Sequence, residues 1–272
     1  MICENETTLH TLTYSAPRIQ IGQAVVDSRS FDEMEEEIVC TALRGGKPKY
    51  VVTPNAQVVG LLAKDEYLRR IYSEAVFVLP DGVSMLLAAR LLGEKIPERV
   101  PGVDMFQALC RRAAGNQMRV FLLGGRPGSA EAAAAKLRAK NPDLIISGTC
   151  CPPMGFENDE SQLREIRDRI TAARPHLLFV AFGTPKQEYW MYENLPHLDV
   201  PMSMAVGGSF EMVGEIVPRA PRWLQAIGVE WLYRLLREPR RLWKRYLIGN
   251  IQFANIVLRQ RLDLQTRRQE LS

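Results

Sequence analysis

Asp81, in the segment Pro80-Asp81-Gly82, is a carboxylate of this 272-residue chain whose place in the sequence suits either catalysis or the capping of a helix. It directly follows the apolar run Ala75–Leu79, which reads as a strand. In a doubly wound sheet, ligands gather outside the carboxyl ends of the strands, so residues just past a strand are the ones that can do chemistry. A positioned carboxylate acting as a general acid or base contributes about 10²–10⁴-fold to a reaction. An aspartate in this position also makes a good cap for a helix starting near Val83; the strand-end location favours the chemical role.

Three other strand ends carry reactive types. Thr53-Pro54-Asn55 closes the run KYVVT, offering a hydroxyl and an amide to a polar ligand, or equally a turn and a helix cap. Leu123-Gly124-Gly125-Arg126-Pro127-Gly128-Ser129 joins an apolar strand to an alanine-rich helix. Glycines there let backbone N–H groups and a helix N-terminus approach a phosphate. Their spacing is neither the dinucleotide fingerprint nor a P-loop. In Phe182-Gly183-Thr184-Pro185-Lys186-Gln187-Glu188, Gln187 suits a sugar or a base and Lys186 a phosphate; the plainer reading is a Gly-Pro turn capped by Thr184.

Other chemistries are disfavoured. No D-x-D pair is present to hold a divalent ion against a nucleoside diphosphate, and His10, His176 and His197 stand apart, so neither a zinc site nor a histidine triad is visible. The five cysteines include no C-x-x-C pair; Cys150-Cys151 reads as two reduced thiols, consistent with a reducing compartment. No metal and no cofactor is expected.

The elements that must hold these residues are legible from periodicity. Strands are expected at Lys49–Thr53, Ala75–Leu79, Arg119–Gly124, Leu144–Ser147, Leu177–Phe182 and Met202–Val206. Amphipathic helices are expected at Phe31–Leu43, Val83–Leu92, Met105–Ala114, Ser129–Lys140 and Gln162–Ala173. Strands apolar throughout are buried on both faces, the mark of a mainly parallel sheet covered by helices. The fold class is therefore α/β, doubly wound, over residues 17–216, with a helical appendage at 217–272. The stretch Met1–Ala16 is polar and reads as a loose leader rather than a signal peptide.

Charge divides the chain in the same way. From Arg219 onward there are twelve Lys/Arg against four Asp/Glu, whereas the remainder is mildly acidic. Such a tail wants an anionic partner. Trp243, Tyr246, Leu247, Ile251, Ala254 and Leu258 recur at helical spacing beside Arg240, Arg241, Lys244, Arg245 and Arg259, which suits a helix lying in a membrane interface or one packed on the body. No window of 18 apolar residues exists, so no span is expected.

The ordered set T-P-N, D-G, Glu98-Arg99-Val100-Pro101-Gly102-Val103-Asp104, F-L-L-G-G-R-P-G, F-G-T-P-K-Q-E, Gly207-Gly208-Ser209-Phe210 and R-A-P-R-W…E-W-L-Y-R-L…E-P-R-R resembles the WecG/TagA/CpsF glycosyltransferases, glycosyltransferase family 26, over roughly residues 20–248. The resemblance implies a Rossmann-like, inverting, metal-independent bacterial transferase. Its donor would be a UDP-sugar of the N-acetylmannosamine, N-acetylmannosaminuronic acid or glucose type. Its acceptor would be a polyprenyl-diphosphate-linked saccharide at the cytoplasmic face of the inner membrane, in cell-wall or exopolysaccharide biosynthesis. It places the proposed base at Asp81 and substrate contacts at Thr53, Asn55, Arg99 and Gln187. Charge developing on the departing diphosphate then falls to Arg99, the Gly124-Gly125 loop and tail arginines; Arg234, Arg237 and Arg241 are candidates for closing over the donor, for the anionic membrane surface, or for both. A homo-oligomer stays open. A nucleotide-cofactor oxidoreductase is the competing enzyme reading, weakened by the glycine spacing. A nucleic-acid-binding tail is the competing non-enzymatic one, weakened by the aliphatics interleaved among its cations; no nucleic-acid partner is expected.

Overall fold

The structure, a computed structural model, describes residues 17–221, 223–224, 230–237 and 239–270. The side chains of Arg234, Arg240, Arg241, Leu242, Lys244, Arg245, Tyr246, Arg268 and Glu270 lie outside that description, as does the leader expected at Met1–Ala16.

The chain opens with a hairpin of β1 (Arg18–Ile21) and β2 (Ala24–Asp27), turned at Gly22, whose φ of 60° lies in the left-handed region. Then follow α1 (Phe31–Arg44), β3 (Lys49–Val52), α2 (Ala56–Leu62), α3 (Glu66–Glu74), β4 (Phe77–Val78), α4 (Val83–Leu92), α5 (Gly102–Gly115), β5 (Arg119–Gly124), α6 (Ser129–Lys140) and β6 (Ile145–Cys150). The remainder is α7 (Glu160–Ala173), β7 (Leu177–Ala181), α8 (Lys186–Asn194), β8 (Met202–Ala205), α9 (Ser209–Val213), α10 (Glu230–Arg237) and α11 (Pro239–Glu270).

Six strands form one parallel sheet in the order β4-β3-β8-β7-β5-β6. From β3 the chain steps outward to β4, crosses to β5, steps outward again to β6, and returns to fill the middle with β7 and β8. The two halves thus wind toward opposite edges, and the crevice of such a sheet opens where the winding reverses, at the carboxyl ends.

Alternation along the strands builds two cores. Val52, Val78, Phe121, Leu123, Leu178, Val180 and Ala205 face one layer, with the hairpin, α2, α3 and α4. Val51, Phe77, Val120, Leu122, Leu177, Phe179, Met202 and Met204 face the other, with α1, α5, α6 and α9. Successive strand side chains point to opposite sides, so a strand flanked by helices on both faces must be apolar at every position, as β7 is.

The expected strands are present, with shifts: Ala75–Leu79 contracts to Phe77–Val78, and Leu144–Ser147 starts one residue later and runs on to Cys150. The tail helix α11 lies against the body. Phe253 and Val257 are buried in the first core, Gly249 sits against Gln57, and Gly60 faces Gln252. Gln260 accepts from the Gly22 N–H at 2.7 Å and donates to the Gln20 carbonyl at 2.9 Å, which ties the far end of the chain to its first hairpin.

Candidate active site

Five strand ends converge on one edge of the sheet: Thr53 after β3, Asp81 after β4, Gly124-Gly125 at the end of β5, Gly183–Gln187 after β7 and Gly207 after β8. The loops are laced together by backbone hydrogen bonds. Asp81 N–H donates to the Pro54 carbonyl (2.9 Å), and Val100 N–H to the Pro80 carbonyl (2.9 Å), so the T-P-N, D-G and E-R-V-P segments form one wall. Arg99 adjoins that second bond, half-exposed, and forms no ion pair with the described residues. Thr53 is half-buried against the start of α5, where a Cβ on Gly102 would lie 3.5 Å from its side chain.

The N-cap position of α4 is held by Gly82, φ 101°, and not by Asp81. Asp81 is half-buried at the mouth of the edge. Asn55, in contrast, does cap its helix: its carboxamide oxygen accepts from Gln57 N–H (3.1 Å) and Val58 N–H (3.3 Å), which leaves the amide nitrogen to face other partners.

The opposite wall is the glycine loop. Gly124 and Gly125 have φ of 98° and 80°, a region that L side chains rarely adopt. A Cβ on Gly124 would come within 2.8 Å of the Phe182 ring. Gly125 N–H donates to the Ala181 carbonyl (2.9 Å), and the loop is braced from α9, where the buried Glu211 accepts from Arg126 N–H (2.9 Å). Helices α4, α6, α8 and α9, which begin along this edge, have no side-chain cap, whereas α2 is capped by Asn55. Uncapped first-turn N–H groups carry partial positive charge and suit an anion.

Two expected contacts are engaged within the protein. Lys186 pairs with Glu157 (2.7 Å) and lies 4.6 Å above the Phe156 ring, holding the loop before α7 in place. The Gln187 carboxamide oxygen accepts from Gly183 N–H (3.2 Å) and Gly207 N–H (2.9 Å), while its nitrogen donates to Thr184 Oγ1 and Glu188 Oε1. It fastens the β7 and β8 loops, so both expected contact residues also brace the edge from within the protein.

Of the tail arginines, Arg237 is exposed and bonded to Tyr233 of its own helix (3.2 and 3.3 Å). Arg234 and Arg241 have described backbone only, in α10 and α11. Among the described residues, two tail arginines meet the body: Arg261 donates to the Leu91 carbonyl of α4, and Arg219 clamps both oxygens of Asp104 in the first turn of α5 and reaches Glu230 at 3.4 Å. Both partners sit inside the quoted motifs, yet their pairing is invisible without the fold. Sequence reasoning also passed over Tyr72 and Glu188, whose buried side chains meet beneath the edge.

No described helix is long and apolar enough to cross a membrane. A family model described as "Glycosyl transferase WecG/TagA/CpsF family" matches residues 19–267. Among curated proteins, an N-acetylglucosaminyldiphosphoundecaprenol N-acetyl-beta-D-mannosaminyltransferase of Bacillus spizizenii is 30% identical over 207 residues, covering 76% of this chain and 78% of that protein. A protein of the same name from Bacillus subtilis is 30% identical over 217 residues, covering 79% and 81%.

Proposed function

Since the chain belongs to the WecG/TagA/CpsF family of glycosyl transferases, we propose that it moves an N-acetylmannosamine-type sugar from a UDP donor to a polyprenyl-diphosphate-linked saccharide, with inversion and without a metal. The names of the Bacillus relatives support the acceptor class. One observation carries the chemistry: Asp81 stands half-buried at the carboxyl edge, just before the Gly82 N-cap position of α4, opposite a glycine loop and the start of α6, which has no side-chain cap.

Asp81 takes the proton of the acceptor hydroxyl as that oxygen attacks the anomeric carbon. The diphosphate departs from the opposite face, and its growing charge meets the first-turn N–H groups of α6, the glycine-loop backbone and Arg99. Thr53 and the free amide of Asn55 line the wall beside Asp81 and orient the sugar hydroxyls. A donor of the uronic acid or glucose type, in place of N-acetylmannosamine, would be held by the same groups.

The enzyme works from the membrane surface as a peripheral protein on its cytoplasmic face. The face of α11 turned away from the body presents Leu247, Ile251, Ala254, Leu258 and Leu262, all exposed, at helical spacing. The exposed Arg259 adjoins Leu258 on this helix, and Arg240, Arg241, Lys244 and Arg245 precede the face in sequence, the basic setting that an interfacial helix uses. The test is incubation with a panel of UDP-sugars and synthetic lipid-diphosphate acceptors, with products read by mass spectrometry. Transfer from one UDP-sugar is the expected result; inertness toward all of them, with activity from another nucleotide donor, overturns the reading.

A further inference from the structure

Glu188 lies in the first turn of α8 and is 1% exposed. Its Oε1 accepts three hydrogen bonds, from Thr184 Oγ1 (2.8 Å), Gln187 Nε2 (3.1 Å) and the Tyr72 hydroxyl (3.3 Å). Its Oε2 is equally buried and has no partner. Three donors on one oxygen and none on the other is the pattern of a neutral carboxylic acid, whose carbonyl oxygen accepts and whose hydroxyl carries the proton. An ionised carboxylate would leave charge on a buried oxygen that has no partner among the described residues. Burial accordingly pushes this carboxyl above the usual carboxylate range.

The groups facing it are Thr184, Gln187 and Tyr72, with Tyr189 beyond; Tyr50 and Asp81 lie on the far side, near Tyr72. The Tyr72 ring is wholly buried, and the Asp81 carboxylate acts on its hydroxyl. Through Gln187 the same hub reaches Gly183 and Gly207. One acid therefore joins α3, which leads directly into β4 and Asp81, to the loops after β7 and β8.

We propose that Glu188 is a positioning residue for sugar transfer, acting as a neutral acid that holds Tyr72 and two strand-end loops in place behind Asp81. Its neutrality matters as much as its bonds. A second carboxylate here would raise the proton affinity of Asp81 and blunt it as a base. The proposal rests on the reading of Asp81 as the base and names what keeps that base aligned and ionised.

The experiment measures kcat and donor KM with UDP-N-acetylmannosamine and a short-chain lipid-diphosphate acceptor for Glu188→Ala, Glu188→Gln and Tyr72→Phe. Glu188→Ala is expected to lower kcat about tenfold or more with donor KM changed less than about threefold, since alignment and not binding is lost. Glu188→Gln, which mimics the neutral acid, restores kcat to at least about a third of wild type, and the acid limb of its pH profile stays where it is in wild type. Wild-type kcat in Glu188→Ala overturns the proposal, as does an acid limb in Glu188→Gln moved to lower pH, the sign that a charge was removed. If Glu188→Ala does not fold, Tyr72→Phe decides: a kcat loss at constant KM supports the hub, and unchanged kcat overturns it. Asp81→Asn in the same assay tests the base alone, so the two readings fail separately.

Discussion

At the scale of single residues, the carboxyls divide into those held by cations and those held by burial. Asp104 is clamped by Arg219, whereas Glu188 has only neutral donors. Asp81→Asn keeps the size and polarity of the side chain and removes only its basicity, so kcat should fall about a hundredfold or more while UDP still raises the melting temperature. Retention of more than about a tenth of wild-type turnover would show that Asp81 is not the base. Glu188 offers a second test, in stability. Its folded-state pKa is raised by burial above the ordinary value of 4.5. The folded protein thus holds that proton more tightly than the unfolded chain does. The resulting stability is fully present below the unfolded value and is lost as pH rises through the folded one. Glu188→Gln never ionises, so its stability relative to wild type should climb as pH increases from about 4.5 toward neutrality. Urea midpoints from acid to neutral pH measure the difference; a gap that is flat with pH would mean the acid ionises freely in the fold.

At the scale of elements, the glycine loop between β5 and α6 is the tightest constraint. Gly124 combines a φ of 98° with a virtual Cβ 2.8 Å from the Phe182 ring and 3.0 Å from the Ala181 backbone. Gly124→Ala should therefore destabilise the fold by about 1–3 kcal/mol and, with the loop acting as the proposed phosphate wall, weaken UDP binding as well. Denaturant titration and a thermal-shift series with UDP check both; loss of stability with unaltered UDP affinity would separate the loop from the donor. This loop, like the six strands, was legible beforehand, since all-apolar runs such as Leu177–Ala181 have one explanation in a covered parallel sheet. The hairpin Arg18–Asp27 was not, because four-residue strands with a half-exposed pattern carry too little periodicity. Helix α3 escaped for a similar reason, being short and mostly polar, with only Leu68, Ile71 and Tyr72 buried. With α3 unseen, Tyr72 could not be brought to Glu188. Gln187 and Lys186 were placed at the right edge by sequence, yet their partners, Gly207 and Glu157, belong to other loops and follow only from the strand order.

At the scale of the whole molecule, the tail is both part of the fold and a candidate membrane surface, and the two faces of α11 can be tested apart. With the departing diphosphate held by protein groups alone, as proposed, the enzyme should be fully active in EDTA; a strict requirement for Mg²⁺, restored on adding it back, would overturn that proposal. The tail itself cannot be removed as a unit without consequence. Phe253 and Val257 fill the core shared with α2, and a Cβ on Gly22 would strike Ile256 at 2.7 Å, so the hairpin is shaped to this helix. Truncation at Arg219 would uncover that core, and point variants are the better instrument. Phe253→Ala, on the packed face, should lower stability by about 3–5 kcal/mol, the usual cost of emptying a buried aromatic site. Leu258→Gln with Leu262→Gln, on the outward face, should leave stability within about 0.5 kcal/mol per site, since both side chains are half or more exposed. The same pair should weaken partition onto vesicles containing anionic phospholipid, because apolar burial in the interface is lost while the tail cations stay. Turnover on a long-chain lipid acceptor in those vesicles should fall with partition, and turnover on a short-chain, water-soluble acceptor should not. If the pair binds vesicles as well as wild type does, the outward face is not what meets the membrane, and attachment rests with the basic residues alone, which raising the salt concentration would then abolish.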